Sequence, residues 1–338
     1  MTRAIEIADS LDAATALLPE WRALWLASKA ATPFQSPHWL LAWWEAFAPG
    51  DLRMIAVRQG GRLVGLAPLY REEGQYGPRL LPLGISLSDY VDVLVDDADM
   101  EAAGAAIASA FADLEDIDSV EWGELQPHAD ALRLAAPFGW ETFTQAGSTC
   151  PVATLPPELA QLPHLLSPSR RRHLTTARNR ARRRGEVNII GADADKAPVL
   201  LSEVVRLHTA AWQARGEPGV FSDRRVAEFH RAALPALMRE GIVRLYALTV
   251  ASAVAAVYYG FQHRNRAYAY LSGYDPEFAF ESPGALLLAH AMEQAIQEGA
   301  EEFHFLRGRE AYKYEWGGKD RVNVRLTFVR RAERRACG

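Results

Sequence analysis

The chain has 338 residues, 49% of them hydrophobic and 23% charged, with 37 basic against 42 acidic side chains and a formal charge of −5. That balance suits one large or two ordinary globular domains, and nothing in the total charge demands a polyanionic partner. The two cysteines, Cys150 and Cys337, lie far apart with no Cys or His neighbour at metal-ligand spacing, which argues against a disulfide scaffold or zinc site and for two reduced thiols.

Residues 1–9 have no apolar core and carry acids early, so no secretory leader is expected. The longest apolar stretches, such as 285–289, fall far short of the ~20 residues that span a bilayer. A cytoplasmic location without a membrane span is the expectation. Leu11, Ala14, Leu17, Leu18, Trp21, Leu24 and Trp25 mark one helical face over 10–30. Ser36 and Pro37 start a second helix that runs through Trp39, Trp43 and Trp44 to a stop at Pro49-Gly50. Alternation then predicts strands at 53–58 and 63–71 around a hairpin at 59–62, a strand at 79–84 and an extended stretch at 85–95. A helix over 100–114 and a strand over 119–125 follow.

A Pro-rich link at 151–168 leads to helices over 169–184, 197–213 and 223–240, the last expected to kink or divide at Pro235. Strands are predicted at 243–250, 253–262 and 266–273, with a tight turn at 251–252. Then come an irregular link at 274–281, a helix at 283–298 capped by Ser282 and stopped by Gly299, and a strand at 302–306. Hairpin, strand, polar link, helix and strand thus occur twice, offset by roughly 185–190 residues, the pattern of a duplicated unit. The expected domains are 1–150 and 151–338.

Four features carry chemistry. The first is 169–184, with eight arginines and no acid. Helical spacing puts Leu174, Ala177 and Ala181 on an apolar stripe and Arg171, Arg178 and Arg182 on a polar face. Guanidinium forks there suit phosphate, with Arg170, Arg171 and Arg178 as candidate donor ligands. The second is the helix start at Ser282, Pro283 and Gly284, whose backbone N–H groups form an anion site. The third is the charged tail 307–316, with Arg307, Arg309, Glu310, Tyr312 and Lys313 just past a strand end, where sites collect in open α/β sheets. The fourth is a carboxylate beside a phenol past a strand, at Asp89-Tyr90 and again at Tyr274-Asp275. A carboxylate could accept a proton from an amine and a Tyr return one to a leaving thiolate. No Gly-rich phosphate loop, Gly-x-Ser-x-Gly, His-Glu-x-x-His or paired-Cys motif is present, so kinase, hydrolase and metalloenzyme readings have no support.

Residues 34–39, 88–92, the arginine helix 170–184, Trp212 with Gly216 and Phe221, 282–284 and 307–313 fall in an order that resembles the CelD/BcsL-like branch of the GNAT acyltransferases. That branch is similar to the FemAB aminoacyltransferases of peptidoglycan synthesis. The resemblance implies an α/β (α+β) chain of tandem GNAT-like domains, each a mixed, mostly antiparallel sheet flanked by helices. It implies acyl transfer to an amine or hydroxyl, with the acyl carbonyl held by backbone N–H groups of strand 266–273 and the donor lying between it and 302–306. Acyl-CoA is the expected co-substrate, with nothing bound tightly, and the acceptor a small molecule or glycan precursor. The sequence departs from ordinary acetyltransferases at Glu281, Gly284 and Leu286, where a pyrophosphate loop begins with Gln or Arg and carries two small residues. A carboxylate there would repel a diphosphate, leaving the arginine helix to supply charge or an aminoacyl-tRNA to act as donor. A degenerate, non-catalytic sensor or scaffold is the third reading.

The roles that follow are Asp275 or Glu310 as base and Tyr274 or Tyr312 as acid. Lys313, Arg307 and Arg309 would hold an anion, and Asp89, Tyr90 and Trp212 would contact the acceptor. On this reading Lys313→Ala abolishes transfer and leaves the melting temperature nearly unchanged.

Overall fold

The computed structural model describes residues 3–214 and 216–331 and resolves two compact units. One takes in the described residues of Met1–Ser148 and Val322–Gly338, the other those of Thr149–Arg321. The described segment 322–331 therefore groups with the first unit. The strands Trp140–Thr154 and Lys319–Arg330 each contain a unit boundary. Cys150 is buried, and Cys337 lies outside the described residues.

In the first unit, Arg3–Ala8, Met54–Gln59, Arg62–Ala67 and Leu94–Val95 make an antiparallel four-stranded sheet. A second set joins Asp51–Leu52, Leu69–Gly74, Gly77–Pro82, Ser119–Leu125 and the end of Lys319–Arg330, with one parallel pair between Gly77–Pro82 and Ser119–Leu125. The helix Met100–Asp113 packs Ala103, Ile107 and Phe111 into the core with Val57, Trp122 and Phe328. The helix Pro37–Phe47 starts as expected, with Ser36 Oγ accepting from the Trp39 N–H at 3.2 Å. Its tryptophans fill the interior, and nearby indoles satisfy buried carbonyls: Trp21 donates to Gln35 O at 3.2 Å and Trp25 to Thr32 O at 2.8 Å.

In the second unit, Val187–Gly191, Val243–Val250, Ala253–His263 and Arg266–Tyr274 are successive antiparallel neighbours. Glu302–His304 follows in parallel, and pairs on its other edge with residues 152–154. The helices Pro168–Arg184 and Pro283–Gln297 cover one face, burying Ala177, Ala181, Leu287 and Met292 against Tyr246, Leu248, Tyr258 and Ala267. The helices Ala197–Gln213 and Arg224–Arg239 cover the other, where His230 lies against Tyr259 and Tyr270 at ring distances of 5.6 Å. A Cβ on Gly273 would sit 2.7 Å from His208 N, so glycine is what lets Ala197–Gln213 press onto the central strand. Arg224–Arg239 runs through Pro235 without dividing.

Candidate active site

The central strand Arg266–Tyr274 has a strand on both edges only at its start. Its parallel neighbour matches Arg266, Ala267 and Tyr268 with Glu302, Phe303 and His304, and then ends. On the opposite edge the register slips between Tyr259 and Gly260, so Tyr270 has no residue across from it. A Cβ on Gly260 would lie 2.4 Å from Tyr268 O, which reserves the position for glycine. Such a bulge bends a strand and increases its twist. Beyond His304 the chain turns away: the Phe305 N–H donates to Pro151 O at 2.9 Å, and Leu306 takes a φ of 60°. The edge of residues 269–272 is left half-buried to exposed, a short row of backbone N–H and C=O groups with no strand partner among the described residues. Behind it, the buried Tyr258 hydroxyl donates to Tyr268 O at 3.4 Å, and burial pushes that phenol far above its usual range.

The helix Pro283–Gln297 opens beside the end of this strand. Ser282 does not cap it as predicted. It adopts a left-handed conformation (φ 50°, ψ 51°), and no side chain accepts from the first turn. Pro283 has no N–H to satisfy, and the turn is left open to an anion at Gly284. A Cβ on Gly284 would meet only Tyr274 Cδ1, at 3.9 Å, so the Tyr274 ring stands over the helix start. Asp275 caps the preceding turn Pro276–Glu281, accepting from the Glu277 N–H at 3.0 Å, and lies 3.8 Å from Arg206.

Two sequence objections to a diphosphate here are removed. Leu286 points into the core and does not crowd the helix start. The Glu281 carboxylate is 7% exposed and meets Arg184 Nη1 at 3.2 Å, so its charge is answered internally. The residue of the arginine helix that meets this carboxylate is Arg184. The residues picked from the sequence are otherwise engaged. Arg170 is ion-paired to Glu315 and lies 5.4 Å over the Trp316 ring. Arg171 donates to Pro163 O at 3.0 Å, and Arg178 meets Glu293 at 3.4 Å. Arg172, Arg182 and Arg183 face solvent with no ion pair or hydrogen bond among the described residues. Arg171 and Arg172 also line a surface depression of about 440 Å³ with Pro168, Thr175 and Thr176.

The tail behaves differently from expectation at Lys313. Its ammonium is buried and donates to Leu306 O at 3.2 Å, Arg307 O at 2.6 Å and Gly308 O at 3.3 Å, and meets Glu310 at 2.9 Å. A cation so enclosed holds the loop that leaves Glu302–His304; it is not poised for an anionic ligand. Glu310 and Tyr312 remain exposed at the start of the helix Ala311–Glu315. Arg309 is tied to Asp320 at 2.7 Å and to the Tyr314 hydroxyl at 3.3 Å. Arg307 is half-buried, and its carbonyl is one of the three that Lys313 bonds. Trp212 donates its indole N–H to His208 Nε2 at 2.9 Å and lies 5.7 Å from that ring, while His208 packs on Phe221 and Phe221 on His230. Asp89 and Tyr90 lie in the first unit and are buried there; Tyr90 O accepts from Gln35 Nε2 at 2.9 Å and Asp89 O from Asn323 Nδ2 at 3.3 Å.

Sequence reasoning passed over the last paired residues. His304 is fully buried, 3.0 Å from Glu302, which is gripped in turn by Arg321 at 2.6 and 3.2 Å. Burial drops the imidazole to about 4, against the opposing pull of Glu302, so it is neutral near pH 7. Its ring lies 4.8 Å from Tyr268, fastening the point where pairing stops. The alternation Glu302-Phe303-His304 put acid and imidazole on one strand face, and that signal was available.

Residues 168–314 match the model of the acetyltransferase (GNAT) domain. The match supports an N-acyltransferase. Among solved structures the chain is similar to FemX, at 14% identity over 96% of this chain and 97% of that one, with a TM-score of 0.67. It is also similar to a conserved protein of unknown function from Bacteroides thetaiotaomicron VPI-5482, at 13% identity over 96% and 100% and a TM-score of 0.62. A third is L-PGS from Bacillus licheniformis, at 12% identity over 91% and 90% and a TM-score of 0.56. At such identities the likeness is one of fold: mixed α/β, tandem GNAT-like, with mostly antiparallel sheets flanked by helices. No curated protein matches the chain. Among the described residues no group of His, Cys, Asp and Glu could hold a metal ion, and no helix is long and apolar enough to cross a membrane.

Proposed function

We propose that the second unit moves an acyl group from acyl-CoA to an amine or hydroxyl of a cell-envelope or exopolysaccharide precursor. The observation that carries this reading is the edge at 269–272, left without a strand partner beside an uncapped helix start at Ser282–Gly284. A thioester carbonyl lying along that edge would meet backbone N–H groups, which stabilise the oxyanion of the tetrahedral intermediate without reorganising. The donor diphosphate would take the open helix turn. The acceptor nucleophile attacks the carbonyl carbon, a carboxylate takes its proton, and the C–S bond breaks as the thiolate is protonated. Asp275, half-buried, and Glu310, exposed, are the carboxylates at hand, and the exposed Tyr274 and Tyr312 are the phenols. Calorimetry with acetyl-CoA tests the reading; absence of binding at millimolar ligand would reject it.

A second reading, transfer from an aminoacyl-tRNA, is favoured by Arg172, Arg182 and Arg183, which pair with no acid among the described residues. It requires tRNA affinity that falls steeply with salt and with substitution of those arginines.

A further inference from the structure

We infer that Arg184 is a positioning residue for the donor site: it pins residues 277–281 and so fixes where the open start of Pro283–Gln297 points. The inference rests on the acyl-CoA reading only for what that helix start binds.

The turn Pro276–Glu281 delivers the chain into Ser282, a non-glycine residue in left-handed backbone with no side-chain cap behind it. A conformation of that kind is strained for a residue with a Cβ and persists where its surroundings hold it. Arg184 is what holds it. Its guanidinium donates to Glu277 O at 2.8 Å, Glu277 Oε1 at 2.6 Å and Glu281 Oε2 at 3.2 Å, and lies 3.9 Å over the Phe278 ring, itself a core residue. One turn earlier, Arg180 donates to Phe280 O at 3.2 Å and lies 4.0 Å over the Phe280 ring. Four of the five residues 277–281 are thus held from one helix.

The clamp is anchored in turn. Arg184 is the last residue of its helix, and at Gly185 an added Cβ would stand 2.6 Å from Ala251 Cβ and 2.9 Å from Ala251 Cα. The helix end is therefore seated against the turn of the Val243–Val250 hairpin, and Arg184 cannot drift from the loop without that seat opening. Only a planar fork reaches both carboxylates and a carbonyl together; an ammonium at the same place would keep the charge and lose the geometry. The same contacts neutralise Glu281, which would otherwise repel a diphosphate at the helix start.

The test uses the full chain with Arg184→Gln, Arg184→Lys and, as a neighbouring charge change, Arg183→Gln. Amide hydrogen exchange over 276–282 is read beside affinity for acetyl-CoA and for S-acetylpantetheine, which lacks the diphosphate. Arg184→Gln is expected to speed exchange there at least tenfold and to lower the ratio of acetyl-CoA to acetylpantetheine affinity at least tenfold. Arg184→Lys should fall between it and the natural protein, and Arg183→Gln should move neither quantity more than twofold. Should Arg184→Gln fail to fold, Arg184→Lys carries the same comparison. Unchanged exchange over 276–282 overturns the clamp, whether or not acetyl-CoA binds. Faster exchange with an unchanged affinity ratio overturns the positioning role. If the natural protein binds no acetyl-CoA, the donor reading fails while the exchange result still decides the clamp.

Discussion

Lys313→Met keeps the length of the side chain and removes its charge. The structure gives the ammonium three carbonyl acceptors and one carboxylate within 2.6–3.3 Å, in a residue 3% exposed. Removing the ammonium costs roughly 3–5 kcal/mol, because the three loop carbonyls left at this buried position lose their donor, while the exposed Glu310 carboxylate returns to water. At about 2–4 °C per kcal/mol for a unit of this size, the melting temperature should fall by about 6–20 °C. Thermal unfolding followed by circular dichroism measures the fall. Transfer assayed well below the transition should also decline, since Lys313 holds the loop that presents Glu310 and Tyr312. A melting temperature within about 2 °C of the natural protein, with transfer abolished, would refute this reasoning and return Lys313 to the role its sequence position first suggested.

Asp275→Asn retains an oxygen to accept from the Glu277 N–H, so the turn should stay capped and the melting temperature unchanged. If Asp275 is the base, kcat should drop at least ~10²-fold; an unaltered kcat leaves Glu310 as the candidate. Gly185→Ala should destabilise by about 1–3 kcal/mol, since the Ala251 main chain cannot yield as a flexible side chain would; a neutral result in urea would contradict the seat described for the arginine helix. His230 is fully buried, and burial lowers it to about 3, with His208 adding to the fall. The unfolded chain protonates there near 6.5 and the folded protein does not, so stability present above pH 6.5 is lost as pH falls toward 3. At pH 5 that gap is about 1.5 pH units, or about 2 kcal/mol. His230→Phe should remove about that much of the difference between urea midpoints at pH 7 and pH 5, and an unchanged difference would argue against the assignment.

The elements that determine the site were readable wherever local pattern and packing agree. The strands at Val243–Val250 and Arg266–Tyr274 and the helices Ala197–Gln213 and Pro283–Gln297 stand within a residue or two of their predicted places, because periodicity and Gly or Pro punctuation point the same way. The strands Trp140–Thr154 and Lys319–Arg330 were not legible: much of the first is exposed and polar and it contains Pro151, so nothing local marks it as a strand. At the site, sequence located the right segments and often the wrong atoms. Lys313 read as a ligand because charge near a strand end is visible and burial is not. Arg184 was one of eight arginines, and only the approach of Glu277 and Glu281 from about a hundred residues away distinguishes it. Ser282 had the composition of a cap, but its backbone took the left-handed form instead.

The three consecutive arginines 182–184 give the clamp a tolerance to slippage in one direction. Each residue added to a helix turns everything beyond it by about 100°. With the stripe of Leu174 and Ala177 held in the core, one residue inserted before Arg182 would carry Arg183 into the place Arg184 now occupies. A guanidinium would still face Glu277 and Glu281. One residue deleted from the same stretch would bring Gly185 there instead, and the loop would lose its fork. Either change also sets a side chain where Gly185 now meets Ala251, so both should cost stability, and only the insertion should keep a guanidinium over the loop.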